Sequence, residues 1–117
     1  MRTTTEVLHD HLSKRLEGDV DADIADNYAE NVTVLSGSGE FRGHEGVRMA
    51  ADELARLVGA GTFTYTQTLV SGDYAFLEWT ADGESQVKDG ADSFVVEKGR
   101  IVMQSIHYSP DPAKRHG

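Results

Sequence analysis

The period of the hydrophobic pattern changes midway along the chain, and this change limits the folds that the chain can adopt. In the first half, apolar residues recur at helical spacing in 4–17 and 44–58, and a shorter helix begins at Asp19 or Asp21. In the second half, apolar and polar residues alternate along four runs joined by short turns, as in antiparallel strands. With a β-branched strand at 32–35 before the third helix, this order predicts an α+β domain whose helices cover one face of a sheet.

The boundaries around the first strand follow from the local pattern. Apolar residues at helical spacing extend the second helix to about residue 29, namely Ile24, Ala25, Tyr28 and Ala29. The stretch SGSGEFRG at 36–43 is rich in glycine and serine, which indicates a loop. We therefore expect the first strand to be short.

Length and composition exclude several classes of function. The 117 residues fit one domain, predicted to span 1–109, and both prolines lie in 110–117, which is predicted to be a flexible C-terminal tail. A net charge of -9 without a cluster of lysine and arginine disfavours nucleic-acid and membrane-surface partners. The absence of cysteine excludes disulfides and thiolate chemistry. No apolar run is long enough to span a membrane and the start lacks a signal-peptide pattern, so we expect a cytoplasmic protein.

Two ionisable side chains lie on otherwise apolar faces. Asp92 shares one face of its strand with Phe94 and Val96, because side chains two apart point the same way. His11 lies on the apolar face of the first helix. A buried charge without a partner is costly, so each residue has a partner, stays near water or serves a site. The structural alternatives are a core histidine and a carboxylate that ties the start of a strand.

The element order and three stretches of sequence resemble the nuclear transport factor 2-like superfamily, and within it the SnoaL-like and ketosteroid isomerase-like proteins. The stretches are LEGDVDADIADNYAENVTVL, FRGHEGV and GADSFVVEKGRIV. The resemblance covers about residues 4–109 and implies a cone-shaped fold, with three N-terminal helices packed on a curved, mostly antiparallel sheet around one deep pocket. It also implies a homodimer formed through the outer face of the sheet. The fold hosts isomerases, dehydratases, cyclases and non-catalytic proteins, so it specifies no single function.

Register with this family assigns the faces of the sheet. It places Ala75, Leu77 and Trp79 inward on one strand. On the last strand it places Val102 and Gln104 inward and Ile101 outward. The predicted ligand pocket is lined by Leu77, Trp79, Phe94, Gln104, Ile106 and Tyr108. Both faces of these strands carry apolar groups, which supports coverage of the outer face by a second copy.

The resemblance also suggests which residues carry chemistry. In ketosteroid isomerase-like members a tyrosine matches His11, an aspartic acid matches Asp92 and the catalytic base matches Ser36. A serine without an adjacent base accepts protons poorly, so steroid-type isomerisation is disfavoured. The candidate catalytic residues are therefore His11 and Asp92, paired directly or through one water, with Tyr28 or Tyr108 polarising a carbonyl.

Two hypotheses follow. The first is a SnoaL-like protein that binds a small apolar organic molecule and catalyses a proton transfer, as in isomerisation, dehydration or cyclisation. The alternative is a non-catalytic ligand-binding or dimeric scaffold module. In a scaffold, Tyr28, Trp79 and Phe94 would fill the interior. Neither hypothesis needs a cofactor, and the sequence predicts no metal site because His9 and His11 point to different faces of their helix.

Overall fold

Residues 1–111 are described by the computed structural model, and they form helices on one face of a single sheet. The elements are α1 (Thr4–Leu16), α2 (Val20–Asn27), β1 (Tyr28–Ser36), β2 (Gly39–Arg42), α3 (Gly43–Val58), β3 (Thr62–Ser71), β4 (Tyr74–Asp82), β5 (Gln86–Glu97), β6 (Arg100–His107) and β7 (Pro110–Asp111).

The long strands of the second half pair as the alternating pattern predicts. The order across the sheet is β2-β1-β6-β5-β4-β3, and β7 pairs with β5. All neighbours are antiparallel except β1 and β6, which run parallel. Three helices packed on a curved, mostly antiparallel sheet confirm the predicted fold class.

Local signals explain where α1 and α2 begin. Thr3 caps α1 by accepting from the amide of Glu6, and the Glu6 carboxylate accepts from the amide of Thr3 in return. Asp19 caps α2 by accepting from the amide of Ala22. Between them Gly18 adopts φ 77°, a left-handed conformation that ends α1. The two helices therefore meet at a tight corner, which brings their inner faces together.

The segment around β1 differs from the prediction in two ways. Tyr28 ends α2 two residues early and starts β1, because its backbone pairs with Ile101 in β6 and its side chain is fully buried. The predicted loop at 36–43 contains β2, which pairs with β1 from Thr33 opposite Arg42 to Ser36 opposite Gly39. Both errors arise because strand pairing overrides the local helix and loop signals.

A β-bulge changes the alternation of β6. Val95 pairs with Met103 while the next residue, Val96, pairs with Ile101, so Val102 is an extra residue on β6. Ile101 was predicted to face outward, but the bulge turns it into the core, where it is 1% exposed. Gln104 beyond the bulge faces inward as predicted, with 4% exposure.

The described chain ends in the short strand β7. Pro110 and Asp111 pair with Val87 and Gln86 in β5. The other residues of the predicted tail, 112–117, lie outside the described part.

Within residues 1–111, none of the helices combines the length and apolar character needed to cross a bilayer. The cytoplasmic location expected from the sequence stays a prediction.

Candidate active site

A cavity of about 280 Å³ lies between the helices and the inner face of the sheet. Most of the cavity wall is apolar, and the wall includes the aromatic side chains of Phe63, Tyr65, Trp79 and Tyr108. Its polar groups include His11, Arg15, Asp92 and Gln104. The interior is therefore not filled, whereas the scaffold alternative requires a filled interior.

Five of the six predicted pocket residues line this cavity. They are Leu77, Trp79, Gln104, Ile106 and Tyr108. Phe94 is inward-facing but lies behind the wall, where its ring packs edge-on against His11 at 5.4 Å between ring centroids. Phe94 therefore supports the imidazole rather than the ligand space.

The imidazole of His11 is held by a carboxylate from α2. His11 Nδ1 lies 2.8 Å from Asp23 Oδ2, and the exposures of these residues are 4% and 0%. The Arg15 Nε donates to the same oxygen at 2.6 Å. His11 and Arg15 are four residues apart on α1, so both face α2. An ionised Asp23 fixes the proton of a neutral His11 on Nδ1 and leaves the lone pair of Nε2 for chemistry.

Asp23 is buried, yet it is stabilised as a carboxylate. Burial opposes its ionisation, but the hydrogen bonds and charges of His11 and Arg15 outweigh this effect and lower the pKa of Asp23. Burial also opposes the charge of Arg15, but the charge and the hydrogen bond of Asp23 outweigh it and raise the pKa of Arg15. The cationic Arg15 thus balances the anionic Asp23, so the buried group of three carries no uncompensated carboxylate.

Asp92 belongs to a second hydrogen-bonded group on the sheet. Trp79 Nε1 donates to Asp92 Oδ1 at 2.9 Å, and Gln104 Nε2 donates to Asp92 Oδ2 at 3.0 Å. The Tyr28 hydroxyl donates to Gln104 Oε1 at 2.5 Å. Because Oε1 accepts from Tyr28, the amide of Gln104 can present only its NH₂ group to Asp92.

His11 and Asp92, which the sequence analysis pairs directly or through one water, are therefore not joined by a direct hydrogen bond. His11 Nδ1 bonds Asp23, and the two oxygens of Asp92 accept from Trp79 and Gln104. The two side chains nevertheless line the same cavity. The structure thus brings the two predicted side chains to one cavity, and it pairs His11 with Asp23.

Burial sets the protonation preference of Asp92. Desolvation raises its pKa, and this effect exceeds the opposing hydrogen bonds from Trp79 and Gln104. Burial likewise raises the pKa of Tyr65 and Tyr108, whose phenols line the cavity. The sheet side of the cavity therefore favours protonated oxygen acids, which can donate hydrogen bonds.

Tyr28 does not reach the cavity, although the sequence predicted that it polarises a carbonyl. Its side chain is fully buried, and burial raises the pKa of its phenol above the ordinary range. Its hydroxyl is engaged with Gln104. Tyr28 is thus a support for Gln104, and Tyr108 is the alternative from the sequence analysis that does line the cavity.

The position of Trp79 depends on the absence of a side chain at Gly90. Trp79 pairs with Gly90 across β4 and β5. A Cβ at Gly90 would lie 2.7 Å from Cε3 of the indole and closer still to Cδ2 and Cε2. The indole therefore lies flat over the backbone of β5, from where Nε1 reaches Asp92.

Ser36, which takes the place of the family's base, lines the cavity, and its hydroxyl lies 2.9 Å from that of Ser38. In residues 1–111, no three His, Asp or Glu side chains are grouped so that they could hold a metal ion.

Sequence reasoning missed Asp23 and Arg15. A signal was available: His11 and Arg15 are an i, i+4 polar pair on α1, and Asp23 and Asn27 are a second such pair on α2. Two polar pairs at the same spacing, on helices joined by a short corner, can face each other.

Comparisons with known proteins bear on the fold. A family model for the SnoaL-like domain matches residues 9–104. An NTF-2 like protein of unknown function from Burkholderia xenovorans superposes with a TM-score of 0.77 at 16% identity, covering 92% of this chain and 84% of that one. Two proteins provisionally assigned as polyketide cyclases also superpose. The one from Sinorhizobium meliloti has a TM-score of 0.74 at 17% identity, with coverages of 86% and 93%.

The other, a SnoaL-like protein from Mesorhizobium loti, has a TM-score of 0.71 at 17% identity, with coverages of 92% and 100%. Identities this low establish a shared fold and not a shared reaction. No curated protein matches the chain in sequence.

Proposed function

Because this chain belongs to the SnoaL-like domain family, we propose that its cavity binds a small, largely apolar organic molecule and that His11 moves a proton on it. The single observation that carries the proposal is the Asp23-held imidazole at the wall of a cavity of about 280 Å³. A cavity with a mostly apolar wall and a few convergent polar groups has the character of a small-molecule site.

His11 is the proposed general base. With Nδ1 donating to Asp23, the lone pair of Nε2 can accept a proton from a carbon or hydroxyl of the ligand. The imidazolium that forms is stabilised by the adjacent carboxylate, and it can return the proton to another atom of the same molecule. The reaction class is therefore an isomerisation, dehydration or cyclisation that needs no net change in oxidation state.

Asp92 is the proposed hydrogen-bond donor to the ligand. Its pKa is raised by burial, which favours the protonated carboxyl. A carboxylic acid kept protonated in an apolar site can donate to an oxygen on which negative charge develops. Tyr108 or Tyr65 would contact the same end of the ligand, because their protonated phenols line the cavity.

Binding can be tested with the fluorescence of Trp79, which is the only tryptophan in the chain and lines the cavity. A panel of small apolar ketones and phenols is titrated into the protein, and emission is followed. Saturable quenching by members of the panel supports the site. A panel that leaves the emission unchanged, with calorimetry also silent, contradicts it.

Proton transfer is tested separately on the ligands that bind. Each ketone is incubated with the protein in D₂O, and deuterium incorporation next to the carbonyl is measured by mass spectrometry. We expect His11→Gln to reduce the exchange rate by roughly 10²–10⁴-fold, the usual contribution of general acid–base catalysis. His9→Gln is the matched control, because His9 lies on the same helix but is exposed.

The outcome also separates the two hypotheses from the sequence. Binding together with His11-dependent exchange supports an enzyme. Binding with exchange no faster than in buffer supports the non-catalytic alternative and contradicts the role of His11 as a base.

A homodimer through the outer face of the sheet is the proposed assembly. Exposed apolar side chains lie on this face, where Leu69 is 56% and Tyr74 is 65% exposed. They border a groove that also contains Met103. A patch of this kind on a sheet face is typical of an interaction surface.

The assembly is tested by sedimentation velocity. Met103→Asp places a charge in the groove and is expected to give a monomer where the unmodified chain is a dimer. Met49→Asp is the matched control, since Met49 is 54% exposed on α3, away from the groove. An unmodified chain that sediments as a monomer overturns the proposed assembly.

A further inference from the structure

Behind Asp23, a second layer of hydrogen bonds connects the imidazole to the surface. Asn27 is fully buried, and its Nδ2 donates to Asp23 Oδ1 at 2.8 Å and to Asp10 Oδ2 at 2.9 Å. Its Oδ1 accepts from Arg2 Nη1 at 2.7 Å. The whole hydrogen-bonding capacity of the Nδ2 group is thus directed at two carboxylates, and the carbonyl faces a cation.

The charges around Asn27 permit only one orientation of its amide. If the amide turned over, its carbonyl oxygen would face the carboxylates of Asp23 and Asp10, and its NH₂ group would face the guanidinium of Arg2. All three contacts would become repulsive. Arg2 therefore acts with the two carboxylates to select the orientation in which Asn27 donates to Asp23.

The contact to Asp23 matters because the two oxygens of that carboxylate have different duties. Oδ2 accepts from both His11 and Arg15, whereas Oδ1 accepts from Asn27. Without Asn27, rotation of the carboxylate would let Arg15 take both oxygens, and the hydrogen bond to the imidazole would weaken.

We propose that Asn27, oriented by Arg2, is a positioning residue that fixes the Asp23 carboxylate and thereby the tautomer and orientation of His11. The value of this arrangement for catalysis rests on the proposed function, but the state of the ring is measured without any ligand. The two proposals can therefore fail separately. If the imidazole of His11 is held as described but the protein transfers no proton, the proposed catalytic function is refuted and the positioning role of Asn27 stands.

The experiment uses NMR of the protein with ¹⁵N-labelled histidine. The chain has five histidines, and the His11 signals are identified by their loss in His11→Gln. We expect a downfield Nδ1 proton that exchanges slowly with water, and ¹⁵N shifts of the Nδ1–H tautomer at about pH 8.5, where ordinary imidazoles are neutral. Asn27→Leu removes the donor at similar volume, and it should speed exchange of this proton by roughly tenfold or more, as expected for loss of a charge-assisted bond.

Because Asn27 is buried, its variant can fail to fold, so the surface arginines provide an independent test. Arg2→Gln removes the cation that orients Asn27. Arg100→Gln is the matched control, because Arg100 also donates to backbone carbonyls near the end of α2, at Ala25 and Tyr28, but does not contact Asn27.

We expect Arg2→Gln to shift the His11 tautomer equilibrium and to speed exchange, and Arg2→Lys to restore much of both. Arg100→Gln should leave the ring signals as they are in the unmodified chain. Equal effects of the two glutamine variants would reduce Arg2 to a structural anchor and overturn the proposal. Ring signals that no variant moves would overturn it as well.

Discussion

Replacing Gly90 by alanine should disturb the candidate site through a single methyl group. The new Cβ would lie within 2.7 Å of three indole atoms of Trp79, whereas ordinary carbon contacts are about 3.5–4.0 Å. No positive φ is recorded for Gly90, so the backbone itself accepts alanine. The indole therefore has to move by about 1 Å, and the 2.9 Å bond from its Nε1 to Asp92 is stretched or lost.

The cost follows from two contributions. Overpacking in a well-filled region typically costs about 1–3 kcal/mol. Loss of a hydrogen bond to a buried carboxyl adds about 1–3 kcal/mol. Alanine also lowers the conformational entropy of the unfolded chain, which offsets about 0.4–1 kcal/mol of this cost. We expect the free energy of unfolding to fall by roughly 2–5 kcal/mol. With a urea slope of about 2 kcal/mol/M, the midpoint should fall by about 1–2.5 M.

The assay is urea unfolding followed by Trp79 emission, which should also shift to longer wavelength in the folded variant as the ring loses its buried position. Gly37→Ala is the matched control, because nothing lies within 4 Å of a Cβ there and its φ is not positive. Its midpoint should stay close to that of the unmodified chain.

A Gly90→Ala variant with unchanged emission and a loss below about 0.5 kcal/mol would refute the reasoning. The contact can be isolated with Trp79→Leu, in which the ring that the methyl group strikes is absent. If the contact is the cause, Gly90→Ala should cost much less in that background, as measured by circular dichroism.

Three further predictions concern the buried polar groups. Burial raises the pKa of Asp92, so the carboxyl of Asp92 binds its proton more tightly in the folded state than in the unfolded state. The free energy of unfolding should therefore fall as pH rises from 3.8 through the folded pKa. In Asp92→Asn the urea midpoint should fall less over this pH range, whatever the absolute stability of the variant. Asp23, despite its burial, has a lowered pKa because of His11 and Arg15, so its stabilisation is present above pH 3.8 and lost as pH falls through the folded pKa. Breaking a fully buried ion pair costs about 3–5 kcal/mol, and Asp23→Asn should cost less than this at pH 7, because the side chain of Arg15 is 22% exposed. The difference in the free energy of unfolding between this variant and the unmodified chain should narrow in acid. Tyr28→Phe leaves an oxygen of Gln104 without its donor and should cost about 1–3 kcal/mol in urea unfolding, with little change expected in the far-UV spectrum.

The helices and long strands could be predicted from the sequence because their signals are local. Alternation placed Asp92 on the same face as Phe94 and Val96, and register with the family placed Leu77 and Trp79 inward. All three are buried and line the cavity. The resemblance to SnoaL-like proteins, and with it the class of fold, is confirmed.

The errors arise where pairing between distant segments decides the outcome. The bulge at Val102 depends on the register of β5 against β6, and no local pattern around Ile101 signals it. Tyr28 suits a helical stripe, but its pairing with Ile101 makes it the start of β1.

The partner of His11 was missed for a different reason. Apolar residues defined the inner face of the second helix in the sequence pattern, so a charged Asp23 was not considered for it. Its burial is possible only because Arg15 and Asn27 are supplied by packing. A buried carboxylate such as Asp23 can be predicted from sequence only when the side chains that bind it are considered at the same time.

The anchoring of Arg2 has a consequence for the order in which the molecule assembles. Besides Asn27, its guanidinium donates to the carbonyl of Gly99, 97 positions away, in the turn between β5 and β6. That bond can form only after the last hairpin has been synthesised and folded, and closure of so long a loop is entropically costly. The arginine can therefore reach its final position only late in folding. An incompletely folded chain would carry α1 and α2 without the restraint that orders their buried polar groups.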